Sequence, residues 1–500
     1  MNSQTKTPLL DALRDRTNHP HSPFYAPGHK GGQGISQSLV ELLGAQVFRS
    51  DLPELPELDN LFNPEGVIEE AQNLAAEAFG AEFTWFLVNG STCGIIAAIV
   101  ATCGPGDKII LPRNIHASAI SGLILSGAIP IFVAPEYNSD WDIANCITPE
   151  SAAAALEQNP DAKAVMVVYP TYHGVCGDLR AIAKITHEYN IPLLVDEAHG
   201  AHLNFHPNLP EAALSAGADL TVQSIHKTLG AMTQASMLHV KGSRVDIQKL
   251  NRALQLVQST SPSYILLASL DAARQQIALH GEQLMAQTLR FAEKARSGIF
   301  QIPGLSVLEL LNTPGFVDLD QTRLTVKVSD LGITGFAADE ILHSQLGVTA
   351  ELPMPQHLTF IISLGNTEID IDNLVKGFQN LSHNLGGGQD AHPTRKFTLC
   401  GTGILPVLEN GVISHLGFPP PPLSPREAFF SPTEIVAADK AVDRLCAELI
   451  CPYPPGIPVL MPGEIITSTA LQYLQQILAD GGKITGCSDP RLQTLKVVRQ

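Results

Sequence analysis

Basic residues are scarce in this chain. Lys and Arg number 31 against 49 Asp and Glu, a formal net charge of −18. A surface of that sign repels phosphate backbones and anionic bilayers, which argues against nucleic-acid and membrane partners. Long apolar runs are missing as well. The longest candidate, around residues 94–103, is interrupted by Gly and Cys, and it falls short of the roughly 18 residues a membrane span needs. The N-terminal stretch MNSQTKTPLLDALRDR has no apolar core of the secretory kind. Cysteine is sparse: the eight at 93, 103, 146, 176, 400, 446, 451 and 487 include no CxxC, and the nearest pair is Cys446 and Cys451. Scattered thiols predict a reduced, cytoplasmic protein with neither a disulfide framework nor a metal site. The sequence has no internal repeat and no GxxxxGK[ST] phosphate loop.

What the chain does have is material for burial. Its hydrophobic fraction is 44% over 500 residues, which suits packed cores, and length alone predicts about three domains. Residues 1–60 are punctuated by Pro8, Pro20, Pro23, Pro27, Pro53 and Pro56 and by glycines at 28–34. They read as an irregular arm. From about 62 to 240, strand-like runs at Trp85–Val88, Lys108–Leu111, Ile129–Val133, Ala164–Tyr169, Pro192–Val195 and Leu220–Ser224 are interleaved with helix-like stretches at Ser91–Thr102, Pro149–Glu157 and Leu179–Tyr189. That alternation predicts an α/β domain over 61–285, built on a mostly parallel sheet. Helical periodicity runs from Ser261-Pro262 to residue 300. A mixed pattern over 286–383 predicts a small α+β domain, 384–397 reads as a linker, and 398–500 forms a third unit with Pro-rich stretches at 419–425 and 452–458.

Ligands of parallel sheets sit at the C-terminal strand ends, and the reactive residue types fall there. Ser224-Ile225-His226-Lys227 directly follows a strand. A lysine there suits Schiff-base chemistry once it is partly desolvated or near another cation; a solvated loop lysine is the bland alternative. Thirty-one residues earlier, Asp196 follows the apolar run PLLV in PLLVDEAH. A pyridoxal 5′-phosphate (PLP) enzyme needs a carboxylate against its pyridinium nitrogen. The rival readings of Asp196 are a nucleotide-hydrolase strand, a metal site with His199 and His202, and a structural carboxylate. The first needs the absent phosphate loop, and the last is costly unless paired. Asn89-Gly90-Ser91-Thr92-Cys93-Gly94 opens an apolar helix. Free N–H groups and two hydroxyls there make either an anion site or an ordinary helix cap. His116, after the next strand, is placed to stack on a flat ring or to serve structurally.

Taken together these segments resemble the PLP-dependent ornithine/lysine/arginine decarboxylases of fold type I, the aspartate-aminotransferase fold. The resemblance is carried by APGHKGG (26–32), NGSTCG (89–94), RNIHAS (113–118), VDEAHGAH (195–202), QSIHKTLGAMTQASMLHVKG (223–242), STSPSY (259–264), PREAFF (425–430) and YPPGIPVLMPGE (453–464). The last lies in what would be the family's C-terminal domain. The resemblance implies that Lys227 forms the Schiff base, Asp196 pairs with the pyridine nitrogen and His116 stacks on the ring. Ser91, Thr92 and Ser224 would hold the phosphate, with Ala198 and His199 also lining the cofactor. His226 would lie near the substrate carboxylate or handle a proton. Ser259 and Thr260 would reach the neighbouring subunit's cofactor in a homodimer or tetramer with active sites at the dimer interface. Glu351 and His199 would meet the substrate, Glu351 facing its distal cation.

The long members of the family carry an extra N-terminal wing that builds decamers; this chain is expected to lack it. His199 stands where the long enzymes have Trp. The implied activity is decarboxylation of a small basic amino acid, arginine before lysine and ornithine, in polyamine metabolism. The alternatives are another fold type I enzyme, an aminotransferase or aldolase, or a non-catalytic PLP-fold regulator. The first needs an Arg for the substrate carboxylate, and residues 340–370 contain none.

Overall fold

Seven short apolar runs build the largest sheet: β1 (Phe83–Leu87), β2 (Lys108–Pro112), β3 (Ile129–Val133), β4 (Ala164–Val168), β5 (Leu193–Asp196), β6 (Leu220–Gln223) and β7 (Ser236–Val240). Their spatial order is β1-β7-β6-β5-β4-β2-β3. The computed structural model describes residues 2–19, 21–386 and 421–499. β2 runs parallel to β3 and β4, whereas β7 runs antiparallel to both β1 and β6. The mostly parallel α/β sheet expected from the strand-helix alternation therefore forms, with one reversed strand. β7 was not expected. Its sequence SMLHV is buried at every position, so it lacks the in-out alternation that marks a half-exposed strand.

By its contacts the chain divides into two compact units, residues 1–102 with 196–285 and residues 103–195 with 286–500. In the first, the helix Gly90–Thr102 is apolar nearly all round and buries Ile95, Ala97, Ala98 and Ile99, as an internal helix must. A Cβ on Gly94 would lie 2.7 Å from Leu87 Cδ1 and 2.8 Å from Val222 Cγ1. Only glycine lets this helix approach the sheet so closely. Residues 1–60 are not the irregular arm that their prolines predict. They contain helices Pro8–Asn18, Gln37–Leu43 and Ala45–Ser50. Pro8 takes the first helical position, where a missing N–H costs nothing. Asp271, from a distant helix, accepts from Leu9 N at 3.0 Å and Leu10 N at 3.3 Å.

The second unit carries β2, β3 and β4; all five residues of β4 are buried. It also carries an antiparallel sheet of β8 (Ser306–Val307), β9 (Arg323–Lys327), β10 (Leu352–Pro353) and β11 (His357–Ile361), ordered β8-β9-β11-β10. Helices Gly335–Leu346 and Glu368–Gly386 bury Leu342 and Phe378 in one core with Leu324, Val326, Leu358 and Phe360 of this sheet. The expected linker is therefore helical at 384–386; its remainder, 387–397, lies outside the described residues, as do 398–420. Further on, β12 (Thr433–Ala437) pairs with β15 (Thr494–Val498) and β13 (Cys451–Tyr453) with β14 (Lys483–Thr485). Helix Ser468–Ala479 closes a second α+β core around Cys446, Ile450, Leu460, Leu474 and Val497. Among the described residues no helix is long and apolar enough to cross a membrane.

Candidate active site

Three strand ends of the first unit carry the candidate residues. β1 leads into the turn Val88-Asn89-Gly90, where Gly90 takes φ +75°, a conformation that favours glycine. Side chains pin this turn. Val88 N donates to Gln258 Oε1 at 3.1 Å, Gln234 Nε2 donates to Val88 O at 2.7 Å, and Ser259 N donates to Asn89 Oδ1 at 3.1 Å. Gln258 and Gln234 are positioning residues that the sequence did not disclose, because nothing in their own segments points to the turn they hold. Ser91 then lies in the first turn of the helix, and Ser224 Oγ donates to its Oγ at 2.9 Å. Two hydroxyls that follow separate strands thus meet at a helix N-terminus, where the backbone N–H groups favour an anion. Thr92, Ser259 and Thr260 are exposed.

β5 ends in Asp196, which is buried and accepts from Ala198 N at 3.2 Å. β6 ends one residue before Ser224, and Ser224 N donates to Ala198 O at 3.3 Å. The short helix Ile225–Thr228 carries His226 and Lys227, both half-buried. Lys227 Nζ is 2.9 Å from Nε2 of the buried His199. With its hydrogen on Nδ1, the imidazole accepts a hydrogen bond at Nε2 from the Lys227 amine, which places a general base beside a candidate nucleophile. His226 Nδ1 is 2.9 Å from Ala235 O; a carbonyl only accepts, so Nδ1 carries the hydrogen and the lone pair of the neutral ring lies on Nε2. Asp196, Ala198, His199, Ser224, His226 and Lys227 therefore come together in one unit with Ser91. Beside them Glu197, which sequence reasoning passed over, is fully buried, and burial pushes its carboxyl up to about 7 against three hydrogen bonds.

His116 and Glu351 belong to the second unit. His116 caps helix Ala117–Ser126: its Nδ1 accepts from Ser118 N at 3.1 Å. The neutral ring therefore carries its hydrogen on Nε2. Three residues before it, the fully buried Arg113 donates to Pro458 O at 2.6 Å, to Val459 O at 3.0 Å and to Glu464 Oε2 at 3.0 Å, and Ala117 N donates to Gly456 O at 3.1 Å. The motifs RNIHAS and YPPGIPVLMPGE are thus one structural unit. Burial raises the Glu464 carboxyl and Arg113 opposes the rise. Glu351 is exposed, its N–H bonded to Thr359 O at 3.0 Å. Among the described residues no group of three His, Cys, Asp or Glu is placed to hold a metal ion.

The model of the Orn/Lys/Arg decarboxylase major domain matches residues 7–320, and that of the family's C-terminal domain matches residues 414–488. The chain belongs to the Orn/Lys/Arg decarboxylase family. It is 40% identical to an arginine decarboxylase of Bacillus anthracis over 503 aligned residues, covering 100% of this chain and 98% of that protein. Identity to the lysine decarboxylase LdcA of Pseudomonas aeruginosa is 26%, over 94% of this chain and 75% of that protein. The fold matches the lysine decarboxylase LdcF of Francisella novicida with a TM-score of 0.82 at 21% identity, covering 99% of this chain and 82% of that chain. Decarboxylases of this family and fold are PLP-dependent enzymes. The first unit fits that cofactor: paired hydroxyls at a helix N-terminus suit its phosphate, a buried carboxylate suits its ring nitrogen, and an amine beside an imidazole suits its aldehyde.

Proposed function

We propose that this decarboxylase converts arginine to agmatine and CO2, in the cytoplasm and as part of polyamine metabolism. The observation that carries the chemistry is the Lys227–His199 contact at 2.9 Å, in the same unit as buried Asp196 and the Ser91–Ser224 hydroxyl pair. Identity of 40% to an arginine decarboxylase against 26% to a lysine decarboxylase supports arginine over lysine, with ornithine third.

Bound PLP supplies an electron sink for the carbanion left when CO2 departs. Lys227 would hold the cofactor through Nζ, and His199 would take and return the proton on that nitrogen. Asp196, with Oδ1 steadied by Ala198 N, would keep the ring nitrogen protonated. Ser91, Thr92 and Ser224 would hold the phosphate at the helix N-terminus, and His116, held in one tautomer by Ser118, would stack on the ring. His226 would present Nε2 towards the substrate carboxylate or the Cα proton. Glu351 would receive the guanidinium by a charge-assisted hydrogen bond. Ser259 and Thr260 would serve the cofactor of a second subunit, so the functional state would be a homodimer or tetramer. The large, small and C-terminal domains would span 61–285, 286–383 and 398–500.

The test is direct. Purified protein supplied with PLP is scanned for the visible absorbance of lysine-bound cofactor, then given arginine, lysine or ornithine while CO2 and amine are measured. The absorbance with CO2 chiefly from arginine is expected. CO2 chiefly from lysine or ornithine would overturn the substrate, and absorbance without CO2 from any of the three would overturn the reaction.

A further inference from the structure

One residue beyond Asp196 and one before Ser224, the first unit holds a line of buried polar side chains that none of these roles uses. Thr84 Oγ1 is 2.7 Å from His239 Nδ1, His239 Nε2 is 3.2 Å from Gln223 Oε1, and Gln223 Nε2 is 2.8 Å from Glu197 Oε2. Glu197 also accepts from Ala213 N and from Thr221 Oγ1, both at 2.8 Å. All five side chains of the group are buried. In the register of the sheet, His239 faces both Thr84 and Thr221, so the polar groups form one ladder across β1, β7 and β6.

Donor and acceptor inventories give this line a single direction. Once ionised, above about pH 7, Glu197 only accepts, so Gln223 turns its NH2 to Glu197 and its oxygen to His239. His239 must then donate from Nε2 and accept at Nδ1, and the Thr84 hydroxyl is the donor at the far end. Every donor points towards Glu197, and each bond polarises the next. Phe79 stacks on the imidazole with ring centroids 4.8 Å apart. Burial keeps that ring neutral, as the assigned tautomer requires.

A buried carboxylate is costly unless its oxygens are matched. Its matching donors here come from the Ala213 backbone and from two β6 residues, Thr221 and Gln223. Glu197 N donates to Val222 O at 3.0 Å, so the backbone makes the same connection. We propose that Glu197 is a positioning residue: its carboxylate locks the strand end bearing Asp196 to the strand end bearing Ser224 and Lys227, and the Thr84–His239–Gln223 line holds that carboxylate in place. This inference rests on the functional reading above.

The experiment compares wild type, Glu197→Gln, the exchange Glu197→Gln with Gln223→Glu, and Thr84→Val. PLP affinity, kcat and KM for arginine, and the ring 15N shifts of His239 are measured in each. In Glu197→Gln the Ala213 N–H cannot turn round, so the new amide keeps its oxygen there and turns its NH2 to residue 223. Gln223 must flip, and His239 must change to the Nδ1–H tautomer. Its PLP affinity and kcat are expected to fall about tenfold, with KM moving less than about threefold. The exchange variant restores a carboxylate that accepts from both residue 197 and His239. It is expected to return the Nε2–H tautomer and to lie within about threefold of wild type on every count.

Wild-type affinity and kcat in Glu197→Gln would overturn the positioning role while leaving the functional reading intact. So would an exchange variant no better than the single one, since loss of packing alone would then explain the effect. Should Glu197→Gln fail to fold, the exchange variant and Thr84→Val decide. The former must fold and bind PLP, and the latter must move the His239 shifts; failure of either overturns the proposal. Wild-type protein that binds no PLP removes the functional reading and this inference with it.

Discussion

At 2.9 Å from His199 Nε2, the Lys227 amine has an imidazole within hydrogen-bond reach before any substrate arrives. Replacing Lys227 by Ala is therefore expected to abolish the absorbance of lysine-bound cofactor and to reduce CO2 release by at least about a thousandfold, where a spectator lysine would leave both intact. Asp196→Ala is expected to retain some cofactor but lose most turnover, and single-turnover CO2 measurements on the loaded variant check this. Both residues were legible in the sequence because each stands beside further chemistry-bearing residues at a strand end. Glu197 was not. It sits next to Asp196, yet its partners are 16, 24 and 26 residues away, and only the pairing of β6 with its neighbours brings them to it.

At the scale of elements, the helix opened by Ser91 depends on contact with β1 and β6. Gly94→Ala would place a methyl 2.7 Å from Leu87 Cδ1 and 2.8 Å from Val222 Cγ1. It is expected to cost about 1–3 kcal/mol and to weaken PLP binding, read by denaturant unfolding and by cofactor titration. The turn around Glu464 depends on its ion pair with the fully buried Arg113. Glu464→Ala would leave the fully buried Arg113 without its counter-charge, and the expected loss is about 3–5 kcal/mol in the same unfolding assay. Both strong N-terminal cues, Pro8 and the proline-rich stretch after it, misled the reading of residues 1–60. Proline punctuation is a local signal, whereas the carboxylate that caps helix Pro8–Asn18 belongs to Asp271. Buried Arg274 on the same distant helix donates to Gln4 O at 3.0 Å and to Lys6 O at 2.7 Å.

For the whole molecule, buried histidines set an acid limit. Burial lowers His173 to about 4 and His239 to about 3, and holds His357 well below its ordinary value. In the unfolded chain each takes a proton near 6.5, which the folded chain refuses. The unfolded state therefore binds more protons between about pH 6.5 and 4, and stability falls as pH falls through that window. Each such imidazole costs about 2 kcal/mol by pH 5. Glu197, raised to about 7, acts with the opposite sign: its contribution is present at low pH and lost as pH rises through 7. A difference measurement isolates one site. His173→Asn is expected to lose about 2 kcal/mol less stability than the parent between pH 7 and pH 5, by urea unfolding at both pH values.

Sequence alone pointed to the family and to six of the seven strands of the large sheet, and it singled out the lysine and aspartate on which the proposed chemistry turns. These are local properties: short apolar runs, reactive residue types directly after them, and motifs a few residues long. Only the tertiary structure decided what holds those residues in place. The reversed strand β7, the Asp271 cap on the N-terminal helix, the grip of Arg113 on the turn at Glu464, and the directed line of hydrogen bonds ending on Glu197 all join residues far apart in the chain. A buried polar group must find its partners in space, and local pattern does not record which distant segment supplies them.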